Sequence, residues 1–97
     1  MTKAEVIIEI SNKTGIDKAD VSASLEAFFT VVKASLANGE NVYVRGFGSF
    51  VVKHRKEKIG RIISKNEPVV IPAHNVPSFK PAKVFVERVK KASIDKD

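Results

Sequence analysis

From Ala4 to Leu36 the apolar residues recur at intervals of three and four, the spacing of a helix with one buried face. Thr2-Lys3-Ala4-Glu5 fits a capping box, with Thr2 as the cap and Glu5 reaching back, and Ala4, Ile7 and Ile8 follow in helical phase. Gly15 offers a stop, so the pattern predicts a first helix over about residues 3–14. Asp17 and Asp20 suit the positive end of a second helix, in which Val21, Leu25, Phe28, Val32 and Leu36 form a stripe widened by Phe29 and Ala37. Asn38-Gly39 is a left-handed helix stop.

After Gly39 the period changes. Asn41-Val42-Tyr43-Val44 and Ser49-Phe50-Val51-Val52 are β-branched and aromatic, as strands are, and Gly46-Phe47-Gly48 lies between them. Those glycines either make a tight turn or leave room for backbone N–H groups to approach phosphates. From Lys53 the strand pattern continues with too few apolar residues for a two-sided core. A second run, Val69-Val70-Ile71, is broken by Pro72, which cannot donate to a ladder. The expected structure is a long hairpin arm over about residues 53–75, with Ile62 and Ile63 near its tip. Ser78-Phe79-Lys80-Pro81 then introduces a short third helix, with Pro81 in its first turn and Phe85 and Val89 four apart. Residues 92–97 read as a frayed tail. The fold class is α+β: two helices, a three-stranded antiparallel sheet with a long arm, and a C-terminal helix, in one domain spanning 1–97.

Charge sharpens this picture because it is uneven. Residues 1–44 hold four Lys against six Asp and Glu, whereas residues 45–91 hold twelve Lys and Arg against three Glu. A basic C-terminal half points to a polyanion, most often nucleic acid. Lys53, Arg55, Lys58 and Arg61 on the arm are candidate phosphate or minor-groove ligands, and Lys80 and Lys83 flank the third helix, whose N–H groups also favour anions. Two helices joined at Gly15 admit a DNA-reading helix-turn-helix. The second of them carries only Lys18 and Lys33, so a core and interface role fits better. The aromatic set Phe28, Phe47, Phe50, Phe79 and Phe85 reads as core and dimer interface rather than a base-stacking platform. With Leu25, Val32 and Leu36 it exceeds what so small a body can cover, which predicts a dimer.

Other chemistry is thinly supported. There is no cysteine, so disulfides and thiolate metal sites are out. His54 and His74 fall on what would be paired strands, solvated or facing phosphate, with no adjacent acid to complete a metal site. No Gly-Lys-Ser/Thr follows the glycines, Ser49 and Ser78 have no His/Asp partners in a recognisable spacing, and no RNA-binding aromatic strand motif is present. No apolar stretch is long enough to span a bilayer, and the first residues lack the apolar core of a signal peptide. The expectation is a non-enzymatic protein without cofactor, metal, membrane or small-molecule substrate.

The order helix, helix, strand, glycine turn, basic arm, helix resembles the HU/IHF family of bacterial histone-like proteins over about residues 1–91. The resemblance rests on Gly46-Phe47-Gly48-Ser49-Phe50, Arg55, Gly60-Arg61 and Asn75-Val76-Pro77-Ser78-Phe79-Lys80-Pro81-Ala82-Lys83. It implies an intertwined dimer whose two arms grip duplex DNA in the minor groove and bend or compact it in the bacterial cytoplasm. It also implies that Lys3, Lys18, Lys65 and Asn75 lie on the DNA-binding surface. Where the family has Asn-Pro after Gly-Arg, this chain has Ile62-Ile63, so by position Ile63 takes the place of the intercalating wedge. Minor-groove benders do insert Ile. That departure, with Lys58 for a frequent Arg, suggests a divergent branch. The partner could be a second copy or a paralogue, as in sequence-selective IHF. The alternative is a basic module that binds acidic protein or RNA without bending DNA.

Overall fold

In the computed structural model, which describes residues 1–62 and 67–92, the first two helices stop where their local chemistry dictates. The first, α1 (Lys3–Thr14), opens with both bonds of the capping box: the Glu5 N–H donates to Thr2 Oγ1 at 3.2 Å, and the Thr2 N–H donates to Glu5 Oε1 at 3.0 Å. It stops at Gly15, whose φ of 74° lets its N–H reach the Ser11 carbonyl at 2.9 Å. The second, α2 (Lys18–Ala37), follows Asp17, whose side chain makes no capping bond; Asp20 supplies first-turn negative charge. It ends in a Schellman motif. Gly39, at φ 80°, donates to the Leu36 carbonyl and Glu40 to that of Ser35, each at 2.9 Å.

Three antiparallel strands, β1 (Val42–Val44), β2 (Gly48–Arg55) and β5 (His74–Pro81), form a sheet in the order β1-β2-β5. Between β2 and β5 lie β3 (Lys58–Ile62) and β4 (Glu67–Ile71), a separate two-stranded ribbon. Arg55 pairs with His74 and Lys58 with Ile71, so each strand skips two residues and the ribbon continues the β2–β5 register. The skipped pair on the return strand is Pro72-Ala73, where proline has no N–H to give. A radius of gyration of 18.9 Å, against about 13 Å for a compact chain of this length, reflects the projecting arm.

The third helix, α3 (Lys83–Lys90), corrects one expectation. Ser78, Phe79, Lys80 and Pro81 do not open it; they complete β5, opposite Val51, Phe50, Ser49 and Gly48. Pro77 and Pro81 push the residues before them, Val76 and Lys80, toward extended backbone, and the Phe79–Phe50 pairing reinforces that choice. Pro81 ends an edge strand, and the Ala82 N–H ties the helix start to the Phe47 carbonyl at 2.8 Å.

Aromatic packing joins α2, the sheet and α3. All six phenylalanines join one network, from Phe29 and Phe28 through Phe50 to Phe79, Phe47 and Phe85, with neighbouring centroids 5.1–6.5 Å apart. Only Val21 and Val32 are buried among the described hydrophobic residues, and Leu25, Leu36 and Phe50 are half-buried. Phe28, Phe47 and Phe79 remain 41%, 44% and 38% exposed. No helix among the described residues is long and apolar enough to cross a membrane.

Candidate nucleic-acid interface

The sheet has two unlike faces because successive strand residues point to opposite sides. Phe50 packs edge-on against Phe28 of α2, which fixes one face toward the helices. Tyr43, Ser49, Val51, Lys53 and Arg55 alternate onto the other, with Lys80, Ser78, Val76 and His74 as their partners on β5. Lys53, Arg55, His74 and Lys80 are all exposed there. Among the expected ligands, Lys53, Arg55 and Lys80 therefore share one surface. Lys80 also lines a shallow hollow of about 450 Å³ with Tyr43, Arg45 and Gly46. Lys83 stands at the start of α3 near Arg88 and Lys91.

Along the arm the cations divide. Lys58 pairs with Ile71 and Gly60 with Val69 on one face; Ile59 pairs with Val70 and Arg61 with Pro68 on the other. Lys58 and Arg61 thus address opposite sides of the ribbon. Both are exposed, and among the described residues no ion pair involves an arm cation. Fully hydrated charges in this state are available to phosphates without first breaking an internal bridge. Ile63 and Lys65 lie outside the described residues.

Asn75 is not with the outer cations. Its carboxamide oxygen accepts from His54 Nδ1 at 2.9 Å, on the helix-facing side, where it borders a cleft of about 400 Å³ with Lys33, Leu36, Val52 and Pro77. His74, on the opposite face, donates from Nδ1 to the Pro72 carbonyl at 2.9 Å. The two imidazoles therefore do not converge, and among the described residues no cluster of three or more His, Cys, Asp or Glu is placed to hold a metal.

Two expected DNA ligands have internal partners. Lys3 forms an ion pair with Glu26, joining α1 to α2, and that hydrogen-bonded ammonium holds the Glu26 carboxyl below its ordinary value. Gly48 is buried, and a Cβ there would meet the Lys80 carbonyl oxygen and the Phe79 ring at 2.6 Å. Its missing side chain makes room for β5. Gly46 is different: it is exposed, turns the chain at φ 80° and has open space around it. The Phe47 N–H closes the turn onto the Val44 carbonyl at 3.0 Å. Sequence reasoning passed over Arg45 beside this turn; its position next to a glycine that needs positive φ was the available signal.

Known proteins resemble this chain over nearly its whole length. A family model described as bacterial DNA-binding protein matches residues 1–90. The DNA-binding protein HU of Thermus thermophilus is 40% identical over 91 residues, 94% of each chain. The integration host factor subunit beta of Halorhodospira halophila is 41% identical over 90 residues, covering 92% of this chain and 88% of that one. Among solved structures, an Anabaena HU–DNA cocrystal structure superposes with a TM-score of 0.90 at 34% identity, covering 94% of this chain and 99% of the other. HU from Thermotoga maritima gives 0.65 at 30% identity, over 92% and 98%.

Proposed function

The chain belongs to the bacterial DNA-binding family of HU and integration host factor, and from that premise we propose that two copies grip duplex DNA and bend it. Architectural DNA binding is the family activity; the grip, the bend and the residues responsible are the parts inferred for this chain.

The observation that carries the reading is the β3–β4 ribbon. It continues the sheet's register away from the body, carries exposed cations on both faces and has no ion pair of its own among the described residues. A ribbon whose described strands pair with each other and leave their cations exposed is built to lie against something else. Lys53, Arg55 and Lys80 meet phosphates along the outer sheet face, Lys58 and Arg61 meet them from the two sides of the arm, and Lys83 and Gly46 border the same route. Affinity comes chiefly from releasing condensed counterions. Ile63 supplies the wedge; unstacking a base step costs a few kcal/mol, offset by the added surface that bent DNA meets. The half-exposed Phe28, Phe47 and Phe79 form the seam at which the second copy packs, with Leu25, Val32, Leu36 and Phe50 behind them. The protein acts without a catalytic step, on the nucleoid DNA of the bacterial cytoplasm.

A sequence-selective variant of this reading is favoured by the similarity to integration host factor subunit beta, and would place a paralogue in the second position. Titration of straight, nicked and pre-bent duplexes tests the main reading. A bender binds the nicked and pre-bent forms more tightly, because part of the deformation is already made. Equal affinity for all three contradicts it.

A further inference from the structure

The arm carries an apolar pair where a solvated ribbon needs none. Ile59 and Val70 lie directly opposite one another in the β3–β4 ladder, 73% and 60% exposed. Cross-strand partners share a face, so Arg61 and Pro68 accompany them, whereas Lys58, Gly60, Val69 and Ile71 occupy the reverse. Each strand skips two residues between the ladders, which keeps the two-residue period in phase. The apolar pair stands beside Arg61 on one face of the ribbon, with Lys58 on the reverse.

The flanking charges require that whatever covers this pair be polyanionic, while the pair itself must meet something without polar groups to satisfy. The walls of a B-form minor groove meet both conditions. They present sugar C–H surface between two rows of phosphate. An A-form RNA minor groove is wide, shallow and lined with 2′-hydroxyls. We propose that Ile59 and Val70 form a sugar-reading platform that selects deoxyribose duplexes over ribose duplexes, an inference that rests on the DNA-binding reading above. Against this pair a 2′-hydroxyl has no acceptor or donor to replace water, a loss on the order of tenfold in affinity. A deoxyribose edge loses nothing and gains apolar burial.

The test compares the full-length protein with the double variant Ile59→Thr/Val70→Thr, which keeps β-branched shape while adding hydroxyls. Affinities for a DNA duplex and an RNA duplex of the same sequence are measured by fluorescence anisotropy over a range of salt. The wild type should prefer DNA. The double variant should lose on the order of tenfold on DNA and little on RNA, with unchanged salt slopes because no phosphate ligand is removed. Ile59→Val should retain the preference, and Val69→Thr, on the reverse face, should leave it untouched. Equal losses on both polymers, a changed slope, or the same effect from Val69→Thr overturns the proposal. A wild type that binds no DNA defeats the underlying reading instead, and one that binds DNA with a ratio unmoved by the double variant defeats only this inference.

Discussion

Replacing Gly48 by alanine separates the two uses a glycine can have in the turn before β2. The added Cβ would stand 2.6 Å from the Lys80 carbonyl oxygen and 2.6 Å from the Phe79 ring. Neither neighbour yields easily. The carbonyl belongs to a strand paired along β2, and Phe79 is held by Phe47, Phe50 and Phe85. Overpacking of this kind costs about 1–3 kcal/mol. For a domain of this size each kcal/mol shifts Tm by roughly 4–8 °C, so Gly48→Ala should melt on the order of 10 °C lower. Gly46→Ala meets no neighbour within 4 Å and bears only the left-handed conformation of an alanine, about 1 kcal/mol. Both variants should be melted by circular dichroism at one protein concentration, since an oligomer's Tm depends on it. A Gly48→Ala Tm equal to wild type, or a larger loss in Gly46→Ala, would refute the packing argument. So would a lower salt slope for DNA binding in Gly48→Ala, because that would make Gly48 a phosphate-facing residue.

The remaining expectations concern assembly and binding. Light scattering at micromolar concentration should give twice the 10.6 kDa chain mass; a monomer would leave Phe28, Phe47 and Phe79 exposed for no reason and remove the two-arm grip. Arg55→Ala and Arg61→Ala should each weaken binding on all sequences alike and lower the salt slope by about one unit per lost phosphate contact. Thermal stability should stay within about 0.5 kcal/mol, as is usual at exposed positions, so an unchanged slope or a large Tm loss would move the binding surface elsewhere. Ile63→Ala should reduce bending more than affinity, with Ile62→Ala as its matched control; the reverse result would shift the wedge register by one.

Local signals were legible in the sequence wherever a few adjacent residues decide the outcome. Thr2 with Glu5, Gly15, and Asn38-Gly39 each specify a helix end through bonds to their own backbone, and each end forms as the residues dictate. The helix 2 stripe and the phenylalanine set were legible because hydrophobic period survives any tertiary arrangement. Pro81 misled, since proline fits both a helix start and a strand end; the competing signal was the Val76-Pro77 and Lys80-Pro81 pairs, which favour extended backbone. The surroundings of Asn75 and Lys3 were not legible for another reason. Which face a strand residue takes, and which acid a lysine finds, depend on register and on helix packing, and neither is written locally. The opposed faces of Lys58 and Arg61, and the position of Ile59 opposite Val70, likewise emerge only once the two strands are paired.

The central claim is that this chain deforms the duplex it binds, and the end-to-end distance of a doubly labelled DNA duplex reports that directly. Energy transfer between dyes at the two ends should rise as protein is added, and saturate at one dimer per site. Binding that saturates while the end-to-end distance stays that of free DNA would contradict the account, and would leave a basic module that coats nucleic acid without bending it.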